Sequence, residues 1–216
     1  MFAANAFLGR STSGVALPTI TYTATAFSNT DLTTYSFTGV SVGAVVPNRL
    51  LIVGVGGYSG NVGTNRTINS LTVDGAATAT AATATGAAPI AFFTLALTTQ
   101  TSVNISVVAS GAMANLNIGA WVATDLTSAT PIDNQTATAT THTVTLTTAA
   151  NGVVVGLNGT LTNTTTGWTG ITSNYVTTMD SSTFVSGASG LSTGTSLVVT
   201  AATTATGARI LAVSWR

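Results

Sequence analysis

The residues able to do acid–base, nucleophilic or metal chemistry are few in this chain of 216. There is one histidine, His142, and no cysteine. Every formal charge is either Asp (Asp31, Asp74, Asp125, Asp133, Asp180) or Arg (Arg10, Arg49, Arg66, Arg209, Arg216), with no Lys and no Glu. One histidine without cysteine cannot build a histidine- or thiolate-rich zinc centre. A Ser–His–Asp triad has its residue types, but no G-x-S-x-G nucleophile elbow accompanies them. His142 sits between Thr141 and Thr143 and reads as a surface residue of a strand. Glycoside hydrolysis needs two carboxyls, one with a raised pKa. Here Asp74 belongs to an Asp-Gly turn, and Asp31, Asp125, Asp133 and Asp180 read as turn or loop residues bonded to their own backbone. No D-x-D-x-D run suggests a calcium loop. Gly54-Val55-Gly56-Gly57 lacks the strand–turn–helix setting of a phosphate loop and reads as a strand approached closely by other backbone. The expectation is therefore no catalytic, cofactor-binding or metal-binding residue, no cofactor and no enzymatic activity.

Composition narrows the partners. Charged residues are 5 % of the chain and the formal net charge is zero, against about 25 % charged in an ordinary soluble domain. Nucleic-acid binding needs clustered basic residues, and five scattered arginines do not supply them. No apolar run approaches the roughly 18 residues that span a bilayer, so no membrane partner is expected. The first residues, MFAANAFLGR, lack the basic and long apolar regions of a signal peptide. A neutral surface favours association, and edge strands here have no lysine to block pairing. Copies of the chain itself are the expected partners.

The elements that must hold these residues are strands. Threonine and valine, both β-branched, dominate, and glycine punctuates the chain at short intervals. Period-two alternation marks strands near residues 20–27, 34–40, 69–73, 76–83, 102–109, 141–147, 175–179 and 196–201. Residues 90–98, 115–123, 153–157 and 208–215 are further candidate strands, and residues 49–57, apolar on both faces, read as a central strand. Asp74-Gly75 is a two-residue hairpin signal; Asn151-Gly152 and Asn158-Gly159 mark further turns. Nothing between strands is long enough for a crossover helix, so the fold expected is all-β: an antiparallel two-sheet sandwich, jelly-roll-like, of about a dozen short strands. Residues 1–18 read as an N-terminal arm, its apolar Phe2, Phe7 and Leu8 available to a neighbouring copy, and residues 19–216 as a single β-sandwich domain.

Residues 34–57 echo residues 141–159: alternating strand, small-residue turn, valine-rich strand, glycine. A duplicated hairpin would produce this, but strand patterns specify residues loosely, which favours two hairpins that are merely alike. Alternating threonines (Thr21, Thr23, Thr25; Thr143, Thr145, Thr147) could form an ice-binding face; their unrelated spacings favour ordinary wet strand faces. Among the aromatics, Trp121 and Trp215 lie in apolar strands and read as core. Tyr58, Trp168 and Tyr175 lie near loops, where an aromatic can anchor a sugar or a protein partner.

Segments such as TYSFTGVSVG, RLLIVGVGG, TINSLTVDGAA and ILAVSWR resemble the β-sandwich proteins of tailed-bacteriophage structural modules, the accessory proteins of the virion head or tail. The resemblance implies a structural virion protein, a capsid decoration or cement protein that stabilises the shell as a homo-oligomer on the major capsid protein, located on the capsid surface. The alternative it implies is a tail-located, fibre- or lectin-like module that binds host glycans through the loop aromatics.

Overall fold

Alternating β-branched residues fold as the pattern requires: the computed structural model, which describes residues 16–138, 142–161, 167–180, 183–203 and 209–216, is built of strands and connecting turns. The first half contains β1 (Thr19–Ser28), β2 (Leu32–Ser41), β3 (Arg49–Tyr58), β4 (Ile68–Val73), β5 (Ala76–Ala77), β6 (Ala79–Ala84), β7 (Ile90–Leu97), β8 (Ser102–Met113) and β9 (Asn115–Thr124). The second contains β10 (Asp133–Ala137), β11 (His142–Thr147), β12 (Val153–Thr160), β13 (Gly167–Thr169), β14 (Thr172–Thr178), β15 (Phe184–Leu191), β16 (Ser196–Ala202) and β17 (Arg209–Trp215).

The all-β, antiparallel sandwich class expected from the sequence is what the chain adopts, but with four sheets rather than two. A first outer sheet (β2-β8-β4-β5) packs on a first inner sheet (β1-β9-β3-β7-β6); a second inner sheet (β10-β17-β12-β15-β14) packs on a second outer sheet (β11-β16-β13). The strand order repeats. In each inner sheet the half's first strand pairs with its last, and the last with its third. In each outer sheet the half's second strand pairs with its next-to-last, and that with its fourth. This is jelly-roll order, with β6 and β14 as added edge strands. The described strands thus repeat one jelly-roll order twice, the two inner sheets sharing a core, where the sequence reading expected one pair of sheets. Residues 34–57 carry β2 and β3, and residues 142–160 carry β11 and β12, which take corresponding places in the two strand orders.

Three cores separate the four layers. Leu51, Val53, Phe93, Ile105 and Ile118 fill the first outer core. Ile52, Phe92, Trp121, Leu157, Val185 and Trp215 fill the middle core, which both inner sheets share. Leu146, Val154, Ile171, Val199 and Ile210 fill the second outer core. β3, β9 and β12 are therefore buried on both faces, which accounts for their unbroken apolar runs.

Several connections differ from the sequence reading. Asp74 (φ 49) and Gly75 (φ 82) do form the turn, with the positive φ values a two-residue hairpin turn requires. Its returning strand is only β5, however: the chain then crosses to the inner sheet as β6 and pairs with β7. Residues 99–101 likewise bridge two sheets, since β7 is inner and β8 outer. β12 runs through Asn158-Gly159 instead of ending there. β15 (FVSGASGL) went unread because small residues carry no alternation. The arm residues Phe2, Phe7 and Leu8 lie outside the described residues.

Backbone irregularity protects half of the sheet edges. The edge strands β1, β2, β6 and β14 each carry a register shift, at Tyr22/Ala24, Leu32/Thr34 and Phe37/Val40, Thr80/Ala82, and Ser173/Tyr175, whereas the edge strands β5, β10, β11 and β13 pair in unbroken register. Bulges twist an edge away from a flat partner, so the first four edges are guarded without lysine.

Candidate functional site

Each residue singled out in the sequence has a definite place. Tyr175 is not near a loop tip: it lies in β14, buried, stacked on Tyr22 with ring centroids 5.6 Å apart and tilted against Trp121 at 5.9 Å. It pairs with Gly187 of β15 and faces Gly119 of β9 across the middle core, where an added Cβ would come 2.5 Å from its ring. Trp121 completes the cluster and donates Nε1–H to Asn174 Oδ1 at 2.8 Å. Tyr175 is thus a packing key between the two halves, which corrects its reading as a partner contact. Trp168 is half-buried in β13 and covers Gly156, where a Cβ would lie 2.8 Å from the indole. It packs on the second outer core. Tyr58 is half-buried at the end of β3, where its backbone carbonyl accepts from Ala114 N–H. The three aromatics lie on three different sheets and form no common platform.

The Tyr175 hydroxyl has no hydrogen-bond partner among the described residues. Burial pushes its pKa well above the ordinary tyrosine range, and the neighbouring Tyr22 raises it further. An unfolded tyrosine ionises near pH 10, so this contribution to stability is complete below about pH 10 and is lost as pH rises beyond it, by up to about 1.4 kcal/mol per pH unit. Tyr175→Phe is expected to match or exceed the parent at pH 7 by about 1 kcal/mol, since it removes an unpaired buried hydroxyl, and to lose less stability between pH 7 and 11. Urea unfolding at the two pH values checks both.

His142 is fully buried, not solvent-facing, with Nδ1 3.1 Å from Asn158 Oδ1. The signal was in its phase: His142 alternates with Val144 and Leu146, all three inward, while Thr143, Thr145 and Thr147 point out. The carboxylates act as structural acceptors. Asp74 accepts from Asn104 N–H at 2.8 Å, Asp133 from Thr147 N–H at 2.8 Å, and Asp180 from Thr183 N–H at 2.7 Å and Asn115 Nδ2–H at 3.0 Å. Asp133 does this from strand β10 rather than from a loop. Among the described residues no three His, Cys, Asp or Glu side chains gather as a metal site would need.

Arg49 was not singled out by the sequence, though a cation opening a wholly apolar strand is itself a signal. It is 2 % exposed. One terminal nitrogen donates to Val42 O (3.4 Å) and Ala44 O (3.1 Å), the other to Thr98 O (3.3 Å) and Gln100 O (2.8 Å). The planar fork thus ties two loops together, a task for which guanidinium is suited and ammonium is not. Arg66 similarly donates Nε–H to Ala112 O at 3.2 Å. Beside Arg49 opens a cleft of ≈ 580 Å³ between β1 and the loop before β3, lined by Thr19, Thr21, Thr23, Val46, Pro47 and Asp125 among others.

The broadest feature is the pair of outer faces. No strand of either outer sheet (β2, β4, β5, β8; β11, β13, β16) contains Asp or Arg. Ser36, Thr38 and Asn104 are exposed on the first face, and Thr143, Thr145, Thr147 and Ser196 on the second. Hydroxyls pair laterally, as Thr143 and Thr200 do at 2.9 Å. The molecule is a four-layer slab with two opposed, hydroxyl-bearing surfaces whose strands hold no formal charge, the carboxylates of Asp74 and Asp133 reaching them from outside those strands. No known protein-family model matches the chain, and no curated protein matches it in sequence.

Proposed function

We propose that this chain is a structural virion component, a capsid decoration protein that reinforces the shell by packing against its own copies and the major capsid protein. The observation that carries the reading is the absence of Asp and Arg from every strand of both outer sheets. Burying an ionised group at a subunit joint costs several kcal/mol of desolvation. Burying hydroxyls that then find partners across the joint costs little. A slab with two such faces can be covered on both sides. Its three packed cores make it stiff, which suits a reinforcing layer. Jelly rolls recur in capsid and lectin domains, so the fold agrees with the reading as analogy only. The glycan-binding alternative loses its basis, since Tyr58, Trp168 and Tyr175 do not assemble.

The test is the protein content of purified particles. The proposal expects this chain at a copy number of the same order as the major capsid protein, released without loss of the genome. Its absence from particles, or presence at only a few copies, would overturn the decoration reading.

A further inference from the structure

The cleft beside Arg49 has an apolar lip that no described residue covers. Val46 is 43 % exposed there and its neighbour Val45 is 50 % exposed; Val46 and Pro47 line the opening, the buried Val42 and Val122 its floor, and Asp125 is its carboxylate, the charge of Arg49 being taken up by backbone carbonyls. A volume of ≈ 580 Å³ falls within the 300–1,000 Å³ typical of clefts that enclose a bound group. Exposed apolar surface of this kind marks an interaction site. The segment preceding the described residues matches it in chemistry: Phe2, Phe7 and Leu8 are apolar, Arg10 follows them, and a polar stretch, Ser11-Thr12-Ser13-Gly14, connects them to the fold. We propose that the cleft receives residues 2–8 of a second copy of the chain, with Phe7 and Leu8 against the valine lip and Arg10 at Asp125.

The exit of the chain favours a second copy over its own cleft. The cleft runs alongside β1 from Thr19 toward Thr23, whereas the chain leaves in the opposite sense through Leu17-Pro18. Proline fixes its own φ and holds the preceding residue extended, so Leu17-Pro18 continue outward from β1 rather than turning back along the cleft. Fifteen residues precede Ala16. At about 3.3 Å each they reach some 50 Å when extended, enough to cross to a neighbour. The inference deepens the assembly reading above by naming the acceptor.

Four samples test it by light scattering after size exclusion: the full chain, a deletion of residues 2–9, Thr21→Trp, and an equimolar mixture of the two variants. Thr21 is exposed on β1, so tryptophan there fills the cleft without entering a core. The full chain is expected to gain mass with concentration, each variant to stay monomeric with an unchanged melting temperature, and the mixture to double in mass, since one partner supplies an arm and the other an open cleft. A full chain that stays monomeric, either variant assembling like the full chain, or a mixture that remains monomeric would overturn the proposal. A negative mixture leaves the particle-content result standing, and absence from particles leaves a positive mixture standing, so the two readings fail separately.

Discussion

Gly187→Ala is expected to destabilise the chain by about 3 kcal/mol or more, at the upper end for a single added methyl in a packed interior. An alanine Cβ there would lie 2.7 Å from Trp121 Cζ2 and 2.8 Å from Cη2, and closer still to Tyr175 Cε1. None of these rings can move aside. Tyr175 is confined on its other side by Gly119, where an added Cβ would come 2.5 Å from Cε1, and Trp121 is fully buried against Phe92. The two glycines, one on each inner sheet, form the slot that accepts the tyrosine ring. Pairing Gly187→Ala with Tyr175→Val should cost clearly less than the sum of the two single changes, the signature of direct coupling. A cost below 1 kcal/mol for Gly187→Ala alone in urea unfolding would show the slot to be slack.

Arg49→Met is expected to cost about 3 kcal/mol by a different route. The methionine preserves bulk but abandons the carbonyls of Val42, Ala44, Thr98 and Gln100, which the guanidinium bonds from a buried position. Orphaned carbonyls keep their desolvation penalty, about 1–3 kcal/mol where burial is complete. Water reaches part of this set and moderates the sum. Arg49→Lys keeps the charge but not the fork, and should recover less than half of the loss. If Arg49→Lys proved as stable as the parent, the charge and not the geometry would be what matters. Arg66 is used in the same way: like Arg49 it serves as a multidentate donor to backbone, through Ala112 O and Asn65 O.

Most of the strands could be read from the alternation and the turn chemistry, because β-branched residues on a half-buried sheet leave a period of two. Asp74-Gly75 and the central position of β3 were legible for this reason. The doubling of the sandwich was not. Residues 34–57 and 141–159 do echo one another, yet aligning their valine-rich runs on Gly54 and Gly156 places Val53 opposite Val155. Val53 faces an outer core and Val155 the middle core, and a one-residue slip exchanges the faces of a strand. Asn48 (φ 54) and Asn151 (φ 61), left-handed residues just before β3 and β12, are the better marker. The burial of Tyr175 was hidden because its partners, Gly119 and Gly187, show in sequence only as missing side chains. Arg49 carried no motif, since carbonyl acceptors leave no trace in sequence. The bulges on β1, β2, β6 and β14 are likewise invisible to composition, and for those four edges they remove the need for a neighbour that the missing lysine suggested. What points to neighbours is the pair of outer sheets whose strands hold neither Asp nor Arg.

The two jelly rolls share a middle core to which both inner sheets contribute, so they are expected to unfold as one unit. Equilibrium unfolding in urea, followed by tryptophan fluorescence and far-ultraviolet circular dichroism together, tests this directly. Trp121 and Trp215, one from each half, are both fully buried in the middle core, so in a Trp168→Phe background, which removes the tryptophan of the second outer core, fluorescence reports the joint while dichroism reports all four sheets. The account predicts a single transition with coincident midpoints. A fluorescence transition that precedes the dichroism change, leaving the strands of the two halves intact, would show separable sandwiches and contradict it.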